Sequence, residues 1–502
     1  MCKFAHKEVK PLDLSKINIK VPITEKKGMV FYEIFVRSFY DSNGDGIGDL
    51  KGIEEKLDYI QNLGVNGIWL SPIFESPSYH GYDVTDYYRI KEELGTFEDF
   101  VNLIKEAHRR NIKVIIDFVP NHTSSMHPWF IEARKSKNNK YRDYYVWSDK
   151  NTNLTELSDI GQRAWHKSGD SFYYANFWSE MPDLNFDNKR VRKEIKEIAE
   201  FWLDKGVDGF RIDAARHIYP QNRIQDTLIW WQEFGDYVRI IKSDTYLVGE
   251  IWTSENIIGK YFKVMDSCFN FPLAEEIIKA ATSGRTVNLK LIMENTYPKY
   301  GNINKNFVDA PFLTNHDMNR VMSRLKSMEK MKTAAAIYLT LPGNPFIYYG
   351  EEIGMLGEKP DEKIREPFKW YKNSGKGQTT WERLDYNIGK NSTSVEEMDN
   401  KNDSLLNFYR DMIKFRLSND VLTKGDIKLL NTDDKTLAYL RTYESNSNLI
   451  VHNLGDSSVT LTIHLPQDIQ LKGEIIKGKG DMNINNGDIN LNLNRNSFII
   501  IK

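Results

Sequence analysis

The sequence predicts an α/β fold: a (β/α)8 TIM barrel with a small domain inserted after its third strand and an antiparallel β-sandwich at the C-terminus. Three observations lead there. Eight short apolar, β-rich runs recur between residues 29 and 349, most of them separated by amphipathic helical stretches. That alternation makes a parallel sheet with helices outside, and eight units suffice to close it. The interval 121–186 breaks the rhythm with Trp-, Tyr-, Asn- and Ser-rich sequence too long for an ordinary loop. After residue 418 the texture becomes β-like, with Asn, Gly and Asp between the runs.

The elements follow in order. Residues 1–28 are Lys-rich and read as an N-terminal arm. Barrel strands are expected at Met29–Val36, Val65–Leu70, Ile112–Phe118, Val207–Ile212, Tyr246–Val248, Val264–Phe269, Ala310–Leu313 and Phe346–Tyr349. Helices are expected over 52–63, 97–110, 188–204, 223–242 and 331–340, each with apolar residues at helical spacing. The barrel thus takes 29–120 and 187–417, the insertion 121–186 and the β-sandwich 418–502. Within the last, Thr436–Thr442, Leu449–Asn453, Val459–Leu465 and Ser497–Ile501 read as strands, and the Asn-rich stretch 480–496 as a loop.

Composition narrows the function. A chain of 502 residues, 40% hydrophobic and 27% charged, suits a large soluble domain with attachments. A formal net charge of -2 gives no field that would recommend nucleic acid as a partner. With 11 Trp and 26 Tyr, flat rings for stacking on sugars are available, though large cores use them too. Cys2 and Cys268 imply no disulfide framework. No apolar run reaches the length of a membrane span and no signal peptide is visible, so the chain as written is expected to be cytoplasmic; separately, a monomer is expected. The start Met1-Cys2 leaves a second reading, a secreted protein or a lipoprotein anchored at Cys2 after removal of a signal peptide.

Functional groups of such a barrel sit at the C-terminal ends of its strands. The fourth strand ends in Arg211-Ile212-Asp213, where period two places Arg211 on the same side as Asp213 and its charge would keep that carboxylate ionised. The third ends in Asp117-Phe118-Val119-Pro120-Asn121-His122, the fifth in Gly249-Glu250-Ile251-Trp252, and the seventh in Thr314-Asn315-His316-Asp317. Any one could be a structural polar group; four strands delivering acids or imidazoles to one rim are harder to dismiss. A Cys/His zinc pattern and a phosphate-binding glycine loop are both lacking. Paired carboxylates at facing strand ends suit glycoside hydrolysis, in which one acts on the anomeric carbon and the other protonates the leaving oxygen.

With these residues the chain resembles the α-amylase family, glycoside hydrolase family 13. The matching segments are Asp117–His122, Met181–Asn185, Gly209–His217, Gly249–Trp252 and Phe312–Asp317, in the family's order. The resemblance implies that Asp213 is the nucleophile, Glu250 the general acid/base and Asp317 the third carboxylate that grips sugar hydroxyls. It implies that Arg211 orients Asp213, that His122 and His316 bond the sugar before the cleaved bond, and that Tyr82 is that subsite's stacking ring. Arg216 and His217 would meet sugars beyond it. Retention of configuration follows, with the two working carboxyls about 5–5.5 Å apart.

The loop Asp41–Asp49 is a separate signal. Asp41, Asn43, Asp45 and Asp49 stand at positions 1, 3, 5 and 9, Ile47 offers a carbonyl at 7, and Gly46 holds position 6. These match the first part of a calcium loop, but Gly52 replaces the closing Glu of an EF-hand. A structural Ca2+ is therefore expected, against the plainer reading of an Asx-rich turn. Asn121 resembles a second calcium ligand of the family, without evident partners.

Local features divide on specificity. Ala214-Ala215-Arg216-His217 and Tyr79-His80-Gly81-Tyr82 resemble α-amylases; exo-acting α-glucosidases tend to carry Asp where Tyr79 stands. Met181–Asn185, the calcium loop, Tyr348–Gly354 and Arg365–Phe368 resemble the oligo-1,6-glucosidases. The leading expectation is an α-amylase that acts on an α-glucan or maltooligosaccharide, cleaving internal α-1,4 bonds of starch and maltooligosaccharides. The alternatives are an exo-acting α-glucosidase or oligo-1,6-glucosidase, a 4-α-glucanotransferase and, remotely, a non-catalytic member of the family.

Overall fold

A computed structural model describes residues 27–389, 392–466, 469, 471–485 and 488–502. The expected arm is thus represented only by Lys27 and Gly28, and the reading of Cys2 lies outside the described residues.

Eight parallel strands build the barrel: β1 (Phe31–Ile34), β2 (Gly67–Leu70), β3 (Lys113–Phe118), β4 (Gly209–Ile212), β5 (Tyr246–Gly249), β6 (Ser267–Phe269), β7 (Val308–Ala310) and β8 (Phe346–Tyr348). Neighbours pair in the order β7-β6-β5-β4-β3-β2-β1-β8. The seam between β7 and β8 is stitched just beside the strands, where Asn344 N donates to Asp309 O at 2.8 Å and Phe346 N to Pro311 O at 3.0 Å. Gly343 makes that approach possible. Its φ is +100°, and a Cβ there would sit 2.2 Å from Asp309 O.

All eight expected strands form, most with shorter bounds; the fifth is one residue longer, at Tyr246–Gly249. The first stops at Ile34, because the chain turns into the short helix Val36–Phe39. The seventh lies at 308–310 rather than 310–313, leaving Phe312 and Leu313 in the loop that follows. Helix 52–63 is two helices, Leu50–Glu55 and Leu57–Leu63, broken at Lys56. Asn188 caps Lys189–Asp204 by accepting from Arg190 N, and Thr96 and Asp99 form a reciprocal capping box on Phe97–Arg109.

Period two decides which side chains fill the barrel. Phe31, Trp69, Ile115, Val248, Phe269, Ala310 and Phe346 point inward, each from a different strand, and pack as one buried cluster. Phe31 and Phe346 stack at 4.6 Å between ring centroids. Burial of each large side chain contributes about 1.5–3 kcal/mol, so the interior is a packed core with no channel. Tyr32, Ile34, Ile68, Leu70, Val114 and Ile116 point outward and join the larger core beneath the helices.

Between β3 and β4 the chain carries the helix Pro128–Ala133 and a hairpin of Trp165–Ser168 with Ser171–Tyr174. The bridge His122–Asp183 brings its two ends together, and Tyr145–Leu184 ties its middle to the second end. From Asp426 the chain is all β. A five-stranded sheet and a three-stranded sheet enclose a core that includes Ala438, Leu440, Leu449, Val451, Ile489, Leu491 and Ile499. The other face of the larger sheet, with Leu437, Tyr439, Ile450 and Ile500, packs into the main core. The expected loop over 480–496 is instead a hairpin, Asp481–Asn485 with Asp488–Leu493. Ile489, Leu491 and Leu493 alternate inward with Asn490 and Asn492 outward, a strand pattern that the Asn content obscures.

Candidate active site

The polar layer sits just above the apolar barrel core. Its centre is Arg211, the third residue of β4, 1% exposed. Register places Arg211 beside Asp117 on β3 and Val248 on β5. Its Nη1 donates to Asp117 Oδ1 at 2.9 Å and to Asp213 Oδ1 at 2.8 Å, and its Nη2 lies 2.9 Å from Glu250 Oε1. One guanidinium therefore serves three carboxylates from three consecutive strands. The faces of Trp69 and Tyr82 lie 5.0 and 6.0 Å from its carbon, adding cation–π attraction.

The sharing changes what one arginine can do for Asp213. Burial pushes the Asp213 carboxyl well above the usual carboxylate range. Arg211 pulls it down, but Glu250, Asp117 and Asp317 push it up again. The expectation that Arg211 keeps Asp213 ionised counted one neighbour; three further acids bear on the same carboxyl.

Glu250 is fixed from a second side. Ala214 N donates to its Oε2 at 2.9 Å. Ala214 has φ +47°, in the left-handed region, so the backbone is strained at the residue that follows Asp213. The side chains of Asp213 and Glu250 remain 11% and 13% exposed, open to the cleft.

Asp317 follows β7 and joins the same network through His316. His316 Nε2 lies 3.1 Å from Asp317 Oδ2 and 2.6 Å from Tyr82 Oη, while Tyr82 Oη donates to Asp117 Oδ2 at 3.0 Å. The rings of Tyr82 and His316 stack at 5.5 Å, 11° from parallel. Arg365 holds the other oxygen of Asp317 at 2.8 Å. Although burial opposes it, the charges of His316, Arg365 and Arg211 hold the Asp317 carboxyl far below its usual range. All three carboxylates expected from the strand ends therefore meet around Arg211 and His316.

The remaining expected residues divide. His122 lies at the wall of this cluster, its Nε2 3.2 Å from Tyr82 O, and burial pulls its imidazole down to about 4. His217 and Arg216 are tied to Asp159 of the insertion, at 2.9 and 3.4 Å, and Arg216 also donates to Trp252 O. They clamp the inserted segment to the barrel. Asn121 donates to Asp183 Oδ2 at 3.2 Å. Residues without an assigned part in the sequence reading also enter: Asp117, Trp69, Glu33, Arg365 and Asp159. Glu33 had a signal, a lone charge in the buried run Phe31–Ile34; Asp159 had none.

The loop Asp41–Asp49 lies after β1. Asp41 accepts from Asn43 N, Gly44 N and Gly46 N, and Asp45 from Ile47 N. Asp49 accepts from Ser42 N at 2.8 Å and from Gly52 N at 2.7 Å, which caps the helix Leu50–Glu55. The donor set of Asp41, Asn43, Asp45, Asp49 and the Ile47 carbonyl is all oxygen, as a hard cation requires. Burial pushes the Asp49 carboxyl up, and the nearby charge of Asp41 adds to it. Among the described residues these acids form no ion pair with Lys or Arg, and no three acidic, His or Cys side chains gather into a metal cluster. Across the loop, Thr380 N and Trp381 N donate to Gly46 O.

Known proteins agree with this geometry. The profile of the alpha-amylase catalytic domain matches residues 33–425, and that of the alpha-amylase SusG C-terminal domain matches 436–493. Alpha-amylase 3 of Dictyoglomus thermophilum is 49% identical over 431 residues, covering 85% of each chain. The 4-alpha-glucanotransferase of Thermotoga maritima is 36% identical, covering 86% of this chain and 97% of its own. The oligo-1,6-glucosidase of Heyndrickxia coagulans is 34% identical, covering 86% and 93%. The solved alpha-amylase from H. orenii superposes with a TM-score of 0.89 at 46% identity, covering 95% of this chain and 99% of its own. Strand order, the sandwich that follows and these matches together place the chain in the alpha-amylase family, as a glycoside hydrolase.

Proposed function

We propose that the protein is a retaining α-amylase that cleaves internal α-1,4 bonds of starch and maltooligosaccharides. The observation that carries this reading is the single guanidinium of Arg211 shared by Asp213 and Glu250, at 2.8 and 2.9 Å. Two carboxylates held on one planar cation come close enough for one to attack the anomeric carbon while the other meets the leaving oxygen. Asp213, ionised, attacks C1 and forms the glycosyl ester; Glu250 gives its proton to the departing sugar oxygen. Glu250 then takes a proton from water, which attacks C1 and frees Asp213. Asp317, held strongly acidic by His316 and Arg365, grips the hydroxyls of the same glucose and favours its distortion. Tyr82 supplies a face for the ring, and His122 and His316 supply polar contacts.

The α-amylase reading rests on Tyr79 and on the relatives of that name. Tyr79 Oη meets Arg365 at 3.3 Å, and its ring stacks on Trp381 at 5.3 Å. That puts an aromatic wall beside Arg365 and Asp317, at the position where exo-acting α-glucosidases tend to carry Asp. Transfer to a sugar acceptor and α-1,6 cleavage are the second reading, supported by the glucanotransferase and oligo-1,6-glucosidase relatives. Product profiles on maltoheptaose and isomaltose separate them. Maltose and maltotriose from the start support endo cleavage; glucose alone, or rapid hydrolysis of isomaltose, overturns it. Proton NMR of the first-formed product reads the stereochemistry, and an initial β-anomer would sink the double displacement.

We also propose that Asp41, Asn43, Asp45, Ile47 and Asp49 hold a structural Ca2+. The ion would neutralise Asp41 and Asp49 and stiffen the loop that bears on Thr380 and Trp381. Calorimetric titration should find one site, and chelation should lower the melting temperature. If neither occurs, the loop is an Asx-rich turn.

A further inference from the structure

His316 sits among several charged and hydrogen-bonding groups, and with Glu33, Asp117 and Asp317 ionised both of its ring nitrogens face acceptors. On the β1 side, Glu33 Oε1 lies 2.6 Å from Nδ1. On the cleft side, Nε2 faces Asp317 Oδ2 at 3.1 Å and Tyr82 Oη at 2.6 Å. Tyr82 has one proton, and it is donated to Asp117 Oδ2 at 3.0 Å. Its oxygen can then only accept from His316, as can Asp317, so Nε2 carries a proton. An ionised Glu33 can only accept, so Nδ1 carries one as well. Trp69 meets the imidazole edge-on at 5.6 Å between centroids, and Arg365 Nε donates to the His316 carbonyl at 2.9 Å.

We propose that Glu33 is a positioning residue of the catalytic apparatus: its buried carboxylate on β1 holds His316 as an imidazolium, whose single Nε2–H is kept on the cleft side between Tyr82 Oη and Asp317. The inference rests on the active-site reading above and extends it to a residue that need not touch sugar. Glu33 is 2% exposed and lies two residues after the core side chain Phe31, in the same inward register. A charge at that depth needs a partner, and His316 supplies it. Burial pushes the Glu33 carboxyl up while His316 pulls it down. The imidazole, despite burial, is pushed up to about 10 by Asp317 and Glu33.

The function of such a pair is directional. The charge of the imidazolium keeps Asp317 ionised, and the bond to Glu33 prevents the ring from turning its donor away. Removing the Glu33 charge frees His316 to lose its proton as the pH rises, and the donor facing the cleft becomes an acceptor.

The test is the pH profile of kcat/KM for Glu33→Gln with α-maltosyl fluoride, whose leaving group needs little help from an acid, so that proton donation to it does not shape the profile. Between about pH 6.5 and pH 9 the variant should lose about tenfold more activity than the parent, and Glu33→Asp should recover most of that loss. A ratio of variant to parent that stays flat across the range overturns the proposal, because a merely structural role lowers activity equally at every pH. If Glu33→Gln does not fold, the parent labelled with 15N-histidine gives the same answer. The histidine signal missing from His316→Asn should show both nitrogens protonated at about pH 8.5. A neutral ring at about pH 7.5 overturns the proposal. Asp213→Asn keeps the two ideas separate: if it hydrolyses the fluoride as the parent does, the active-site reading itself has failed, whatever Glu33 does.

Discussion

At the C-terminal mouth of the barrel, Arg211 faces three carboxylates; at the opposite end, among the described residues, Arg416 and Arg441 donate their hydrogen bonds to carbonyl oxygens. Arg416 donates to Leu339 O, Leu341 O and Gly343 O at 2.6–2.8 Å. Arg441, on the strand Thr436–Tyr443, donates to Thr340 O, Leu422 O and Gly425 O. These carbonyls end the helices Met328–Thr340 and Asp420–Lys424 and would otherwise be buried without donors. Burial pulls Arg416 down to about 9 and Arg441 down to about 10. Despite the same burial, the acids around Arg211 push it far up. The same side chain is a counter-charge at one end and a fork of donors at the other. At the mouth it concentrates charge where a bond is to be broken; at the base it ties the β-sandwich to the barrel.

The largest effects should follow from breaking the mouth. Arg211→Met leaves three carboxylates without their cation, and kcat/KM should fall by about a thousandfold or more, together with a loss of about 3–5 kcal/mol of stability. Arg211→Lys is the sharper version. Lysine keeps the charge but lacks the planar fork, so it cannot serve Asp117, Asp213 and Glu250 together. The nucleophile must be ionised to act, and the Asp213 carboxyl is already raised by burial. The acid limb of kcat/KM therefore lies above the usual aspartate range, with activity lost as the pH falls, and Arg211→Lys should move that limb to still higher pH. An acid limb left where the parent has it would break the claim that Arg211 governs Asp213.

Arg416→Met should cost about 2–4 kcal/mol, from three buried carbonyls losing their donors. Below its lowered melting temperature, kcat and KM should match the parent. A fall in kcat would show that the two ends are coupled and that the contrast drawn here is false.

The smallest effect tests burial of an acid with tyrosine partners. Just past β8, Glu351 Oε1 accepts from Tyr338 and Tyr409, both at 2.7 Å. Burial pushes its carboxyl up to about 8. An acid raised in the folded state binds its proton more tightly there than when unfolded. Its contribution is greatest below the unfolded value and declines as the pH rises toward about 8. Glu351→Gln removes that decline, so between about pH 6 and pH 9 the variant should lose about 2–3 kcal/mol less stability than the parent. Thermal melts at both pH values read the difference.

The barrel was legible because period and alternation survive in the sequence. Eight apolar runs announced eight strands, and strand-end position singled out Asp213, Glu250 and Asp317. The misses have physical causes. The hairpin at 481–493 hid behind its Asn content, although Ile489, Leu491 and Leu493 kept strand spacing. That Arg216 and His217 also pair with Asp159 could not be read, because Asp159 comes from an irregular segment that no periodicity places. The charges around Asp213 were read incompletely, because a sequence displays the neighbour two residues away and conceals the acids brought in by other strands. Glu33 was visible as a charge in an apolar run, but its role depended on His316, 283 residues later.

The central claim is that the carboxylates gathered on Arg211 break the bond through an ester on Asp213. A slow 5-fluoro glycosyl fluoride should trap that ester, and mass spectrometry of the digested protein should locate the sugar on the peptide bearing Asp213. Label on Glu250, on Asp317 or on no residue, in a preparation that hydrolyses starch, would contradict the account.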